Sequence, residues 1–284
     1  MKAAQVLVKV LVTGVFLASL SGCTENPFGD DSISTGSRQI TGSVQLHDGS
    51  NPEGVYVWLE GFNIGTYTDE AGDFKLTLQS ESSHGTSSGL SGIFNLYFYI
   101  ANYLIDSSQA VVQEGEFVYE RGDINKDGRL SAPKVMRRFL RINTLVEPSS
   151  VVANYTNPIG VTVTLTATID SSTVIIPKSV GGLLGAILVK KTDSQEVIIY
   201  ESAPLAGTRA VVLVGLSPRI IGMTFNLLLQ PLAPGNYEVI PYLLIAHEAI
   251  PEYLIESIGP NVEKLGPNYL KIPFQREGGS FEIN

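Results

Sequence analysis

Cysteine is almost absent from this chain of 284 residues, which contains one, at position 23. A single thiol has no partner within the chain, so the fold contains no intrachain disulfide bond. Zinc-binding patterns of the H-E-x-x-H or H-x-x-E kind are also missing. A lone cysteine in an exported chain therefore calls for a separate explanation.

Signatures of catalysis are missing as well. The sequence has no Walker loop and no dinucleotide-binding glycine pattern. His247 and Glu248 are adjacent, but the sequence arranges no nucleophile beside them. We therefore expect a protein that is not an enzyme. A hydrolase with a site between two domains remains an alternative, because a catalytic carboxylate pair cannot be recognised in sequence alone.

Basic residues are in the minority. Lysine and arginine total 19 against 28 acidic residues, which gives a formal net charge of −9. Removal of residues 1–22 would remove Lys2 and Lys9 and no acid, so the charge would become −11. An acidic surface argues against nucleic-acid binding, which requires neutralised phosphates, and against electrostatic attraction to anionic lipid.

Long apolar runs are confined to the N-terminus. Residues 10–20 are almost wholly apolar and follow Lys2 and Lys9. This run is shorter than the ~20 residues that a membrane-spanning helix needs. It is typical of the apolar region of a secretory signal peptide.

The four residues Leu20-Ser21-Gly22-Cys23 follow this run directly and resemble the lipobox of bacterial lipoproteins. The resemblance implies cleavage before Cys23, which acquires diacylglycerol and becomes the new N-terminus, with acyl chains such as palmitate. Thr24 in place of aspartate implies the outer membrane, at its periplasmic or surface face. The alternative is an ordinary signal peptide followed by an incidental thiol.

Composition and turn residues divide the chain into four segments. We expect a signal peptide in residues 1–22, a lipidated flexible tether in 23–37, and β-sandwich domains in 38–147 and 148–284. The fold class is thus all-β, with two tandem sandwiches. Further expectations are a long loop at 81–92 that includes His84, a strand or short helix at 134–146, and a closing pair of strands at 269–274 and 279–283.

The first domain contains three short patterns in order: Ile40-Thr41-Gly42-Ser43-Val44, Gly54-Val55-Tyr56-Val57-Trp58-Leu59 and Thr68-Asp69-Glu70-Ala71-Gly72-Asp73-Phe74. Val55, Val57 and Leu59 share one face of a strand and point to the core. Asp69 and Gly72 are suited to a tight turn. Together the patterns resemble the carboxypeptidase regulatory-like domain. That family implies a transthyretin-like sandwich without peptidase activity.

Tyr56 and Trp58 lie on the opposite face of the same strand. Outward aromatic rings can stack on sugars, so the two residues are a candidate ligand platform. The alternative is that they pack against a loop or against the second domain.

Asp123, Asn125 and Asp127 stand at alternate positions before Gly128, and Arg129 would offer its backbone carbonyl. This spacing resembles the start of a calcium loop of the EF-hand or dockerin kind. The twelfth position holds Lys134 instead of a bidentate acid, and no second copy occurs. The sequence therefore leaves two interpretations open, a calcium site or a loop that uses these residues only to form Asx turns.

The second domain begins with a strongly alternating segment, residues 161–169, whose threonines define a solvent face. Val161, Val163, Leu165, Ala167 and Ile169 are expected to face the core. Residues 232–239, Leu-Ala-Pro-Gly-Asn-Tyr-Glu-Val, resemble the tyrosine corner of immunoglobulin-like and fibronectin-like sandwiches. The resemblance implies that the hydroxyl of Tyr237 bonds to upstream backbone.

These observations favour a non-catalytic, membrane-anchored lipoprotein that presents β-sandwiches to a protein partner or an envelope component. The first alternative is a carbohydrate-binding lipoprotein that uses Tyr56 and Trp58. The second alternative is the hydrolase with an interdomain site.

Overall fold

The computed structural model describes residues 38–78, 90–202, 207–247 and 249–284, and strands make up most of its regular structure. The protein is all-β, as the alternating sequence patterns predict. The described residues belong to one compact unit, Gly36–Asn284. The loop expected at 81–92 lies mostly outside the described residues, as do His84, Glu248 and everything before residue 38.

Two sheets form the first half of the fold and pack across a shared hydrophobic core. Their strands are β1 (Gln39–Leu46), β2 (Tyr56–Leu59), β3 (Ile64–Tyr67), β4 (Asp73–Thr77), β5 (Gly92–Tyr99), β6 (Asp106–Gln113), β7 (Glu116–Phe117) and β8 (Lys134–Met136). One sheet has the order β4-β1-β8, with β8 parallel to β1. The other has the antiparallel order β3-β2-β5-β6-β7. Val55, Val57 and Leu59 are fully buried in this core, as their spacing predicts.

The turn before β4 has the expected geometry. Asp69 Oδ1 accepts hydrogen bonds from the backbone amides of Ala71 (3.0 Å) and Asp73 (2.9 Å). Gly72 has a φ of +80°, and a Cβ atom there would lie 2.3 Å from the carbonyl oxygen of Val44. The position therefore requires glycine both for its backbone conformation and for the close approach of β1.

The second half contains three further sheets. Its strands are β9 (Leu140–Glu147), β10 (Ser150–Val151), β11 (Ile159–Ala167), β12 (Ser172–Val180), β13 (Leu183–Leu184), β14 (Ala186–Lys191), β15 (Val197–Glu201), β16 (Thr208–Val214), β17 (Arg219–Phe225), β18 (Gly235–Pro241), β19 (Leu244–Ile245), β20 (Glu277–Gly278) and β21 (Ser280–Ile283). The sheet orders are β10-β21-β18-β14-β15, β17-β11-β9-β20 and β13-β12-β16, with β19 also paired to β12. Residues from all three sheets share a second core.

Strand β11 buries alternate residues, with the threonines on the more exposed face, as the sequence predicts. The prediction is wrong for Ile169, which is 43% exposed. The strand ends at Ala167, so the alternation no longer places residue 169 over the core. The tyrosine-corner bond is present, because Tyr237 Oη donates to the carbonyl of Ala233 at 2.6 Å.

The expected domain boundary at residues 147/148 requires correction. Strand β9 pairs along its length with β11, and its residues Leu140, Ile142 and Val146 lie in the second core. The first core ends with Met136. Strand β9 therefore belongs to the second half. The division between the two cores lies at residues 137–139, before the expected boundary.

A third core joins the two halves. It is bounded by the β2–β5 face of the first half and the β14–β18 face of the second. Between them lie a short helix α1 (Leu254–Ile258) and a 3₁₀ helix (Pro267–Lys271). None of the helices in the described ranges is both long and apolar enough to span a bilayer.

The 3₁₀ helix occupies the first three of the six residues expected to form a strand at 269–274, while β21 matches the expected final strand. Pro267 begins this helix, and proline has no backbone N–H to contribute to a ladder. Tyr269 is fully buried, and its hydroxyl donates to the carbonyl of Leu243 at 2.7 Å. The segment is thus fixed by side-chain burial between the halves instead of by strand pairing.

Candidate binding site

Tyr56 and Trp58 do not form an exposed platform. Their side chains retain only 4% and 2% of their accessible surface, respectively, and both lie in the third core. Trp58 stacks on Tyr97, with ring centroids 6.0 Å apart and planes inclined by 26°. The sequence interpretation in which these rings pack against the second domain is therefore the one observed, because β2 is covered on both faces.

Hydrogen bonds hold the C-terminal segment in the interface beside these rings. Ser257 Oγ donates its hydrogen to the carbonyl of Leu254 at 2.6 Å. The same Ser257 Oγ therefore accepts the hydrogen bond from the hydroxyl of Tyr56, at 3.0 Å. Tyr67 Oη donates to the carbonyl of Lys271 at 3.1 Å. The polar ends of two aromatic residues on the first half are thus satisfied by helix α1 and the 3₁₀ helix.

Asn102 links three parts of the chain. Its fully buried side chain donates through Nδ2 to the carbonyls of Leu140 (3.0 Å) and Gln275 (2.8 Å), and its Oδ1 accepts from the backbone amide of Gln275 at 3.0 Å. Buried amide groups with satisfied hydrogen bonds fix geometry more strictly than apolar contacts do. Asn102 therefore sets the position of the C-terminal segment against both halves.

Arg138 lies at the crossing point between the two cores, with a side chain only 5% exposed. Its Nη1 lies 2.6 Å from Glu277 Oε1, its Nε 2.7 Å from Asp48 Oδ2, and its Nη2 donates to Ser50 Oγ at 2.7 Å. Desolvation would lower the pKa of Arg138, but hydrogen bonds with Tyr103 and Glu277 raise it overall. The guanidinium thus joins a loop of the first half to strand β20.

A cavity of about 610 Å³ opens where the end of β2 meets the approach to α1. The first half contributes the edge of Trp58, Glu60 and the following turn, and the C-terminal segment contributes two acids and an exposed tyrosine. The lining residues are Trp58, Glu60, Gly61, Asn63, Glu252, Tyr253 and Glu256. The volume falls in the range of small-molecule sites.

One polar atom of Trp58 lacks a hydrogen-bond partner. The indole Nε1 of Trp58 is buried and donates no hydrogen bond. A buried donor without an acceptor costs ~1–3 kcal/mol, so native structures rarely retain one without a reason. Glu60 is held by Asn95, whose Nδ2 donates to Glu60 Oε2 at 3.0 Å. Burial, together with the Glu60 charge, raises the pKa of the neighbouring Tyr97.

Tyr253 forms the outer edge of the cavity. Its side chain is 60% exposed, and its backbone has a φ of +69°, a left-handed conformation that is uncommon for residues other than glycine. The cavity thus combines the carboxylates of three glutamates with one exposed aromatic ring. These are groups for binding a polar ligand. Of the lining residues, sequence analysis had singled out Trp58 alone, because residues 58–63 and 252–256 meet only in the folded chain.

The candidate calcium residues are placed together, and side-chain oxygens of two of them accept backbone hydrogen bonds. Asn125 Oδ1 accepts from the backbone amides of Asp127 (2.9 Å) and Arg129 (3.0 Å), and Asp123 Oδ2 accepts from that of Gln109 at 2.8 Å. The ammonium group of Lys134, at the twelfth position, forms an ion pair with Asp106 and donates a hydrogen bond to the carbonyl of Ser107.

Calcium takes six to eight oxygen ligands. Within the described ranges, no group of three or more His, Cys, Asp or Glu side chains is arranged to hold a metal ion. The hydrogen bonds of Asn125 are those of an Asx turn, and calcium binding by this loop stays a prediction. Gly128 has a φ of +72°, as its turn position predicts.

His247 has a packing role. Its Nε2 lies 2.7 Å from the carbonyl oxygen of Ala101, and its ring lies against Tyr99 and Phe139 with centroids 5.7 and 5.3 Å away. Burial lowers the pKa of this histidine, which favours the neutral ring. Glu248 and Cys23 lie outside the described residues.

The chain matches no protein-family model and no curated protein. Among solved structures it resembles the Bacillus anthracis TIE protein weakly, with 9% sequence identity and a TM-score of 0.23. The match covers 72% of this chain and 45% of that one, so this chain spans less than half of that protein's length. A likeness of this size carries no argument about fold or function.

Proposed function

We propose that this chain is a non-catalytic lipoprotein of the cell envelope that presents two joined β-sandwiches for binding an envelope component or a protein partner. The observation that carries the proposal is the lipobox-like Leu20-Ser21-Gly22-Cys23 directly after a short apolar run. Several acyl chains on Cys23, at ~0.8 kcal/mol for each buried methylene, would supply firm attachment. Thr24 favours the outer membrane.

The way the two halves are joined supports the presenting role. The third core, the Asn102 hydrogen bonds and the Arg138 cluster connect them through buried contacts. A surface built from both halves therefore keeps its shape, and preorganised surfaces lose less conformational entropy on binding. The cavity beside Trp58 is one such surface.

Local geometry also supports the family resemblances as proposals for the two sandwiches. The Asx turn at Asp69, followed by Gly72, suits a carboxypeptidase regulatory-like domain. The bond from Tyr237 to Ala233 suits an immunoglobulin-like domain. Neither resemblance implies a catalytic residue in this chain.

Intact mass spectrometry of the native polypeptide tests the anchor. We expect a chain that begins at Cys23 and carries acyl chains, and we expect Cys23→Ser to leave the protein unlipidated and unprocessed. Thr24→Ser is the matched control, since it keeps the cysteine and a similar side chain beside it. A native chain with a free thiol, or one that begins elsewhere, would contradict the proposal.

A further inference from the structure

Strand β16 lies at the edge of the sheet β13-β12-β16 and spans seven residues, Thr208–Val214. It pairs with β12 on one side, and no strand in the described ranges pairs with its other side. Backbone amides and carbonyls on that other side therefore have no ladder partner. A free edge of this kind can accept a further strand, because the backbone groups that join strands within a sheet are available there.

The side chains of β16 also lack the cover that a strand inside a sheet has. On the outer face, Val211 and Leu213 are 64% and 69% exposed. On the inner face, Ala210 and Val212 pack against the second core but are only half-buried. Val174, which pairs with Val212 from β12, is fully buried. The second core is thus open along β16, and a further strand would close it.

The other edge strands of the described sheets are protected in ways that β16 is not. Strands β3, β7, β8, β10, β13, β19 and β20 have two to four residues each. Strand β4 exposes Asp73 and Lys75, β15 is half-buried or buried throughout, and β17 exposes one aliphatic side chain, Ile220, next to Arg219. Short length and charge prevent unwanted strand pairing. Strand β16 is long, and its single charge, Arg209, lies near one end.

The sequence of β16 suits pairing with a second copy of itself. An antiparallel pairing with a two-fold axis at Val211 places that residue opposite its own counterpart, and Arg209 opposite Leu213 of the second copy. No like charges meet, and aliphatic side chains become cross-strand neighbours on one face. Each copy also offers what the other needs, a free edge and an apolar inner face beside an open core.

We propose that β16 pairs with β16 of a second copy, so that the two β13-β12-β16 sheets join into one continuous sheet across a two-fold axis. Such an isologous contact closes at the dimer, because both free edges are used up. The dimer goes beyond the proposed function and does not depend on the lipid anchor.

A cysteine at the centre of the pairing tests its register. Val211→Cys would place two thiols on neighbouring strands with Cα atoms ~4.5–5.5 Å apart, within reach of a disulfide bond. We expect mild oxidation of the full-length protein to give a covalent dimer on non-reducing electrophoresis. Leu213→Cys is the matched control, because the two copies of residue 213 would lie about 13 Å apart along the strands and should not cross-link. Wild type reports any cross-link through Cys23.

Lysine substitutions test whether this edge makes the dimer. We expect analytical ultracentrifugation of the full-length protein, in density-matched detergent at ~1–200 μM, to show a monomer–dimer equilibrium, as for a contact of small area. Val211→Lys would place two ammonium groups directly opposite each other and should raise the Kd about tenfold or more. Leu229→Lys, at a leucine that is 88% exposed and lies outside β16, is the matched control and should leave the Kd unchanged.

Three outcomes would overturn the proposal: a wild-type chain that stays monomeric over this range, a dimer whose Kd is unchanged in Val211→Lys, or equal cross-linking of Val211→Cys and Leu213→Cys. Circular dichroism checks that Val211→Lys is folded, and if it is not, the cysteine pair decides the question by itself. An unmodified Cys23 would remove the anchor and leave the dimer standing.

Discussion

The guanidinium of Arg138 lies 2.7 Å through Nε from the carboxylate of Asp48, at the crossing between the two cores. The remaining guanidinium contacts go to Glu277 in β20, to Ser50 and to Tyr103. One side chain thus holds a loop of the first half, the connecting segment and the C-terminal segment together. Removal of the nearly buried Arg138 charge would leave the carboxylates of Asp48 and Glu277 without a cationic partner there.

Arg138→Met is therefore expected to lower the free energy of unfolding by about 2 kcal/mol. This is below the ~3–5 kcal/mol typical of a broken buried pair, because Asp48 and Glu277 remain partly exposed and screened. Urea unfolding followed by circular dichroism would measure the loss. Arg141→Met is the matched control, since Arg141 is 54% exposed and its 3.5 Å pair with Glu277 should contribute less than ~1 kcal/mol. Equal effects of the two substitutions would contradict the prediction.

The ion pair between Asp48 and Arg138 should make the stability of the protein depend on pH. Burial would raise the pKa of Asp48, but hydrogen bonds from Ser50 and the charge of Arg138 hold it below its ordinary value of 3.8. A carboxyl group with a lowered pKa in the folded state stabilises the protein above its unfolded pKa, and that stabilisation is lost as the pH falls through the folded pKa. The stability difference between wild type and Asp48→Asn should thus be constant near neutral pH and shrink below 3.8.

Denaturant unfolding at several pH values would measure this difference. Asp170→Asn, at an exposed aspartate, serves as the control and should leave the wild-type profile essentially unchanged. A difference between wild type and Asp48→Asn that grows on acidification would be incompatible with the lowered pKa.

Trp58→Ala is expected to destabilise the protein by ~3–5 kcal/mol, because it removes a large ring from a packed core. Trp58→Phe keeps part of the ring and removes the unpartnered N–H, so its cost should stay under ~2 kcal/mol. Unfolding monitored by far-ultraviolet circular dichroism avoids any need for tryptophan emission. An alanine variant as stable as wild type would show that the ring is not packed as described. Loss of ligand binding in Trp58→Ala alone would not distinguish a binding role from loss of this core.

Tyr237→Phe tests the tyrosine corner. The substitution removes the 2.6 Å hydrogen bond to Ala233 while keeping the buried ring, so we expect a loss of ~1 kcal/mol. Thermal and urea unfolding would both report it. Tyr253→Phe, at an exposed ring, is the matched control and should change stability by less than ~0.5 kcal/mol.

We expect the loop at residues 122–131 to contribute to stability through its own hydrogen bonds, independently of calcium. Asn125→Ala removes the oxygen that accepts from the amides of Asp127 and Arg129, and should cost ~1–2 kcal/mol with or without calcium. Asp127→Ala, a change within the same loop, is the comparison. Melting curves with calcium and with a chelator should coincide for wild type. A calcium-dependent rise in the melting temperature that is lost in Asp123→Asn would instead support the metal-site interpretation.

Much of the strand pattern could be predicted from sequence because it depends on local alternation. Strand β11 and the Val55–Leu59 face are buried where a period of two places them. The turn at Asp69–Gly72 and the Tyr237 bond also followed from local motifs. Each of these features is decided by residues within a few positions of one another.

Other features escaped sequence analysis because their causes are distant in the chain. Strand β9 was assigned to the first half, although its ladder partner β11 lies in the second. Residues 269–271 read as part of a strand, yet they form a 3₁₀ helix whose Tyr269 is buried between the halves. Trp58 was a candidate for exposure because nothing near it in sequence reveals the segment that covers it.

The sequence by itself determined the β character of this chain, its acidic charge and a lipobox-like cysteine, since period-two patterning, composition and short motifs are local properties. Only the tertiary structure decided that the outer face of β2 is an interior surface and that a cavity with three glutamates lies at its end. The reason is physical. Burial of Tyr56 and Trp58 depends on a C-terminal segment about 200 residues away, and no local pattern encodes that contact.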